Sequence, residues 1–283
     1  MASTAEFALQ FALIEGRLTA YHLAGSPDAP AVLLLHGLGA AGSTYAAVVS
    51  RLSREYRVIV PDLLGSGRTA KPLVDYSPQE MASHVAGLLQ ELRVPALRAI
   101  VGHSQGAAVA VELCHQLPGR IRKLVLIDPP PPCGMRWLRP VTGLPLGGRT
   151  AEVFSALLPH KRIARLWLGF LYANRERLTD EVLAAYAATS GSRGYAAATA
   201  RALRSLSRLD LHLESAPPTL LLWGAQDRLF RPSLAAAWQA RLRSSVLTVL
   251  PATGHCPHEE QPAAVALALG EFLADPAPDR QRA

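Results

Sequence analysis

Short runs of valine, isoleucine and leucine at residues 31–35, 57–60, 98–101, 123–127, 219–223 and 246–250 alternate with stretches whose apolar residues recur at helical spacing. Runs without polar alternation need apolar neighbours on both faces, and a parallel sheet covered by helices supplies them. The expected class is therefore α/β, a mostly parallel central sheet with helices on both faces. Residues 7–23, turning at Glu15-Gly16, read as an antiparallel hairpin at the sheet's edge. A chain of 283 residues, 49% hydrophobic and 18% charged, is long and apolar enough to bury such a core.

One helix is legible in detail. Ser77-Pro78-Gln79-Glu80 offers an N-cap, a proline at the first helical position and a capping-box glutamate. Met81, Val85, Leu88, Leu89 and Leu92 follow as one apolar stripe, leading into the strand at 98–101. Between the strands ending near Asp128 and beginning near Thr219 the chain is far longer than a crossover helix requires. Residues 129–218, bounded by Pro129 to Pro132 and by Pro217-Pro218, are expected to be a helical lid inserted into a core made of 1–128 and 219–283. Helical patterns occur in it near 151–158, 161–172, 179–189 and 195–206. Trp137, Trp167 and Phe170 are its candidates for contact with a ligand, although most aromatics in such a segment serve to hold it together.

The strand at 98–101 runs into Gly102-His103-Ser104-Gln105-Gly106, and a helical segment follows. This is the setting in which a glycine-flanked serine is held in a strained turn with its hydroxyl exposed. A serine hydroxyl attacks only when a base takes its proton, and the base in turn needs an orienting carboxylate. Asp227 follows the strand at 219–223, and His255 follows the strand at 246–250. Strand ends on one edge of a parallel sheet bring such distant positions together. Ser104 is the expected nucleophile, His255 the base and Asp227 the acid. Asp128, also at a strand end, is the alternative acid. The backbone N–H groups of Gln105 and Leu38, the latter in His36-Gly37-Leu38-Gly39, are the expected oxyanion donors. His36 is expected to be structural, and His103 to pack beside the turn.

Together the His-Gly loop, the turn at Ser104, the Trp-Gly-x-x-Asp segment ending at Asp227 and the Gly-His-x-Pro segment at His255 resemble the α/β-hydrolase superfamily. Residues 61–69 and Glu260-Gln261-Pro262 resemble that pattern too, so the likeness runs through nearly all of the chain outside the lid. It implies the α/β-hydrolase fold and places the chain near haloperoxidase-like esterases, enol-lactone hydrolases and carbon–carbon bond hydrolases. Relatives that cleave epoxides or carbon–halogen bonds carry aspartate where this chain has Ser104. Carbon–carbon bond hydrolases commonly carry a tryptophan shortly after the histidine, where this chain has Cys256-Pro257-His258-Glu259.

The expected activity is hydrolysis of an ester, thioester or lactone of an apolar small molecule through an acyl-enzyme. The alternatives are a carbon–carbon bond hydrolase and a non-hydrolytic lyase, cyclase or ligand receptor that uses His255 as a base. No cofactor and no metal is expected, since only His255 and His258 sit close together without further ligands at recognisable spacing. The net charge of +7 comes from scattered arginines with only three lysines, so no nucleic-acid partner is expected. Cys114, Cys133 and Cys256 fit neither a disulfide framework nor a zinc pattern. With no basic leader or spanning segment in view, a cytoplasmic protein without a membrane partner is expected, of a quaternary structure the sequence does not set.

Overall fold

The computed structural model describes residues 7–136, 152–153, 155–213 and 215–274. Strands β1 (Ala8–Ile14), β2 (Arg17–Ala24), β3 (Ala31–Leu35), β4 (Arg57–Pro61), β5 (Ala99–His103), β6 (Leu124–Ile127), β7 (Thr219–Gly224) and β8 (Ser245–Leu250) form one sheet. Their order is β1-β2-β4-β3-β5-β6-β7-β8. The β1–β2 and β2–β4 pairs are antiparallel, and every pair from β4 to β8 is parallel. The edge hairpin turns where its sequence promises, because Glu15 (φ 49°) and Gly16 (φ 74°) both take the left-handed conformation that a two-residue hairpin loop demands.

The apolar runs of β3 to β7 are buried on both faces, whereas β8, at the sheet's edge, leaves Val246, Leu247 and Val249 exposed, so that its run is covered on fewer sides than its composition suggests. Leu33, Leu35 and Ile59 join a core that includes helices α2 (Pro78–Glu91) and α3 (Gln105–Gln116). Val32, Leu34, Val58 and Val60 point the other way, against α1 (Ala46–Leu52) and α9 (Pro262–Ala274). The period-two alternation of side chains in a strand produces this division. Lys123 is buried at the far end of the second core. Its ammonium donates to the Phe272 carbonyl, and Arg98 donates to that of Leu273, so two cations satisfy the last carbonyls of α9.

Helix α2 begins as its sequence dictates, with Ser77 Oγ accepting the Glu80 N–H at 3.1 Å and Pro78 at its first position. The second arm of the capping box is diverted: the Glu80 carboxylate accepts from Arg17 of β2 at 2.7 Å instead. That ion pair ties the helix to the hairpin, a tertiary partner that local sequence cannot reveal.

Between β6 and β7 the chain forms α4 (Lys161–Leu171), α5 (Asp180–Ser190) and α6 (Tyr195–Leu206). The segment is joined to the core beside α8 (Pro257–Glu260), where the Tyr186 hydroxyl of α5 donates to Glu259 Oε1 at 2.7 Å. Burial pushes the Glu259 carboxyl up to about 7, although the tyrosine bonds pull the other way. Of the four helical patterns in the insertion, the first, at 151–158, falls partly outside the described residues.

Two outcomes follow. Ser77→Ala removes the cap of α2 and is expected to lower stability by about 1 kcal/mol in denaturant titration. Glu259 is neutral in the folded protein over a range where it ionises in the unfolded chain. Its contribution is therefore fully present below its ordinary value of 4.5 and is lost as pH rises through about 7. Across that window the melting temperature of Glu259→Gln should decline less than that of the wild type; parallel pH profiles for the two proteins would refute the assignment.

Candidate active site

Strand β5 ends at His103 and α3 begins at Gln105, leaving Ser104 alone to turn the chain. It does so at φ 51° and ψ −116°, a left-handed conformation that a serine adopts only under constraint. The flanking glycines make the turn possible. A Cβ on Gly102 would stand 2.3 Å from the Gly106 carbonyl oxygen, and one on Gly106 would stand 2.4 Å from that of Leu35. The start of α3 is thus pressed onto β5 and β3 more closely than any side chain allows. The Ser104 N–H donates to the Ile127 carbonyl of β6 at 2.9 Å, fixing the turn from a third strand.

His255 lies in the loop between β8 and α8. Its Nδ1–H donates to Asp227 Oδ2 at 2.8 Å, and its Nε2 accepts the Ser104 hydroxyl across 3.1 Å. The carboxylate can only accept, so it dictates this tautomer. Asp227 Oδ1 accepts the N–H groups of Leu229 at 2.7 Å and Phe230 at 2.9 Å, which orients the carboxylate and leaves Oδ2 for the histidine. The ring of Phe230 stands edge-on to the imidazole, 5.3 Å between centroids. Ser104, Asp227 and His255 are all buried. The turn holding Asp227 and the loop holding His255 are joined by the Gln226 N–H to Thr253 carbonyl bond at 2.8 Å.

Asp128, the alternative acid, is also here but does not hydrogen-bond His255. It sits at φ 42°, with Oδ1 accepting the Gly224 N–H at 3.0 Å. Complete burial, then the charge of Asp227, push its pKa well up and keep it a neutral acid. His103, Asp128 and His255 place possible ligand atoms within 4.8 Å of one another, the sole such group among the described residues. Their ring nitrogens are largely engaged already: both on His255, and Nε2 on His103.

The loop after β3 runs beside the serine. A Cβ on Gly37 would lie 3.2 Å from Ser104 Cβ. Among the described residues, no protein acceptor takes the backbone N–H of Leu38 or of Gln105. His36 braces this loop, its Nδ1–H donating to the Gly37 carbonyl at 2.8 Å and its Nε2 accepting the Leu63 N–H at 2.9 Å. Burial keeps its pKa low, so it stays the neutral ring that this pair of bonds requires.

Ser104 and His255 open onto a cavity of about 270 Å³, walled on the insertion side by Trp167, Leu168, Tyr186 and Tyr195 and on the core side by Leu229 and Phe230. No aspartate, glutamate, lysine or arginine lines it among the described residues. Of the three aromatic candidates, Trp137 lies outside the described residues and Trp167 is in the wall. Phe170 is corrected: it is 41% exposed, stacks on Trp167 at 6.1 Å and is not part of the cavity. The inward stripe of α4 is Ala164, Leu168 and Leu171, and position 170 falls one residue off it. Phe230 and Leu229 have no motif of their own, and only their place just after Asp227 could have pointed to them.

No described helix is long and apolar enough to cross a membrane. Residues 32–269 match the model of the alpha/beta hydrolase family. The chain is 30% identical over 267 residues to the "Putative carbamate hydrolase RutD" of Pseudomonas syringae pv. syringae, covering 89% of this chain and 97% of that one. Over a shorter stretch of 98 residues, 33% of each chain, it is 45% identical to the magnesium-chelatase 30 kDa subunit of Rhodobacter capsulatus. Among solved structures, the haloalkane dehalogenase DbeA of Bradyrhizobium elkani shares the fold at a TM-score of 0.81 and 23% identity, over 94% of this chain and 97% of that one. With the sheet order, the strained serine turn and a family match across most of its length, this chain belongs to the alpha/beta hydrolase family.

Proposed function

We propose that the protein is a serine hydrolase that cleaves an ester, thioester or lactone of a neutral, apolar small molecule through an acyl-enzyme on Ser104. The observation that carries this is the Ser104, His255 and Asp227 chain of hydrogen bonds, 3.1 Å and 2.8 Å, at the wall of a cavity without ionic side chains. A charged substrate would lose its hydration there without a counter-charge, at a cost of several kcal/mol or more. The cavity volume, about 270 Å³, lies at or below the small end of the roughly 300–1,000 Å³ typical of ligand sites, which favours a compact substrate.

In this reading His255 Nε2 takes the hydroxyl proton as Ser104 Oγ bonds to the substrate carbonyl carbon, and the carbonyl electron pair moves onto oxygen. The N–H groups of Leu38 and Gln105 receive that oxyanion. When it collapses, the carbon–oxygen or carbon–sulfur bond breaks, and the leaving alcohol or thiol takes the proton from His255. A water then loses a proton to the same nitrogen, attacks the acyl-serine and releases the carboxylic acid, regenerating Ser104. One water is consumed per turnover. Asp227 holds the tautomer and offsets the imidazolium charge, and no cofactor is needed. Residues 129–218 serve as the lid over this chemistry, and Trp167 contacts the substrate. The three free cysteines fit a cytoplasmic setting.

A second reading is favoured by the 45% identity to a magnesium-chelatase subunit over 98 residues, a third of each chain. On it the chain serves a magnesium chelatase, and co-elution with the chelatase subunits of its own organism, retained in Ser104→Ala, is the expected sign.

For the hydrolytic reading, a fluorophosphonate probe should label the wild type and leave folded Ser104→Ala unlabelled. Turnover of p-nitrophenyl esters should peak at short acyl chains and fall by about 10⁴-fold in Asp227→Asn. A folded wild type that resists the probe would sink this reading and leave the lyase, cyclase or receptor alternatives.

A further inference from the structure

His103, the residue before the nucleophile, has a role that packing alone does not require. Its ring is buried, and its Nε2–H donates to the main-chain carbonyl of His255 at 2.7 Å. A carbonyl oxygen only accepts, so the proton on Nε2 is dictated. Two consecutive residues of the turn therefore grip a single histidine: Ser104 meets its ring at 3.1 Å, and His103 meets its main chain at 2.7 Å. The His255 N–H is held from the opposite side by the Leu171 carbonyl at 2.8 Å.

We propose that His103 is a positioning residue that ties the main chain of His255 to the Ser104 turn, fixing the distance between nucleophile and base independently of Asp227. The proposal rests on the hydrolytic reading above. It explains why a histidine suits this place. The position requires an N–H donor with the reach to meet the His255 main chain past its ring, and the His103 and His255 rings lie 5.0 Å apart. It also requires a ring that remains uncharged when its neighbour becomes imidazolium. Burial, followed by the neighbouring His258 and His255, drives the His103 pKa well below the ordinary histidine value, so it supplies the bond without adding a competing charge. Its other nitrogen, Nδ1, has no hydrogen-bond partner among the described residues and faces the close approach of Gly37, where a Cβ would stand 2.7 Å away. The loop carrying Leu38 is thereby packed against the same ring that holds the base.

The test compares His103→Leu, which removes the donor, with His103→Gln, whose side-chain N–H has a similar reach, after thermal melts establish that both fold. In His103→Leu, kcat for the ester substrate and the fluorophosphonate labelling rate should fall on the order of 10²-fold with KM unchanged, the size of effect expected from misplacing a catalytic group by about 1 Å. His103→Gln should recover most of that loss. The downfield proton resonance of His255 Nδ1–H, seen by NMR without any substrate, should persist in the wild type and His103→Gln and broaden away in His103→Leu. Unchanged labelling and an unchanged resonance in folded His103→Leu, or a glutamine variant no better than leucine, would overturn the proposal. A wild type that is never labelled but whose resonance depends on the residue-103 donor would leave the positioning role standing and remove the hydrolytic reading alone.

Discussion

The conformation of Ser104 is the constraint from which the rest of the site follows. Holding a non-glycine residue in the left-handed region costs about 1–3 kcal/mol, and the cost is met only where the surroundings leave no alternative. Here the surroundings are three parallel strands and a helix. β5 delivers the serine, β6 accepts its N–H, and α3 begins against the end of β3 through the bare backbone of Gly106. Every residue of α3 from Gln105 to Cys114 is buried, so the helix cannot shift to relax the turn. Because the strands around it are parallel, their carboxyl ends lie on one edge, and the loops after β7 and β8 bring Asp227 and His255 to the same place.

Burial and hydrogen bonding then divide the titratable groups around the serine. Asp128 and Asp227 lie close enough that both cannot ionise in a dry interior. Asp227 has two backbone N–H donors and an imidazole N–H, whereas Asp128 has a single N–H and one oxygen without a partner. Asp227 is thus the better hydrogen-bonded of the two carboxyl groups, and Asp128 is the one whose pKa burial raises. His36 and His103 are kept neutral by burial, and His258, stacked on Tyr45, has its pKa pushed down to about 3. When His255 accepts a proton, the field it meets is that of one carboxylate, opposed by no neighbouring imidazolium. Such preorganisation is where an active site of this kind gains most.

Much of the fold is legible because its signals are local. The hairpin turn at Glu15-Gly16, the cap at Ser77 and the strand-to-helix junction at Ser104 are each written in a few adjacent residues. The ordering of Ser104, Asp227 and His255 along the chain is legible for a different reason, since each follows an apolar run that must be a strand. Elements without a periodic signal escape: α9 is apolar on nearly every side and offers no stripe to read, and α7 (Ala235–Gln239) is barely more than a turn. Tertiary partners escape for the same cause, as with Glu80, which leaves its capping role for Arg17. Along α4, Trp167 and Phe170 look equivalent in sequence. Only the packing of Ala164, Leu168 and Leu171 decides that one faces the cavity and the other the solvent.

The insertion and the base are mechanically joined, and this limits how the cavity can open. Glu260, itself buried, accepts three backbone N–H groups: Gly254 at 2.8 Å on Oε1, and Ala173 at 2.8 Å and Asn174 at 2.9 Å on Oε2. Together with the bond from the His255 N–H to Leu171, they fasten the end of α4 to the histidine loop. A buried carboxylate stripped of such donors is strongly destabilised, so this junction resists separation. If residues 171–174 swung away as part of a moving lid, His255 would lose one of its main-chain anchors and Glu260 two of its three donors. The cavity wall that these bonds hold is the one carrying Leu168 and Leu171, while α5 is tied beside His255 by the Tyr186 to Glu259 bond and α6 packs into the core through Ala198, Ala202 and Leu206.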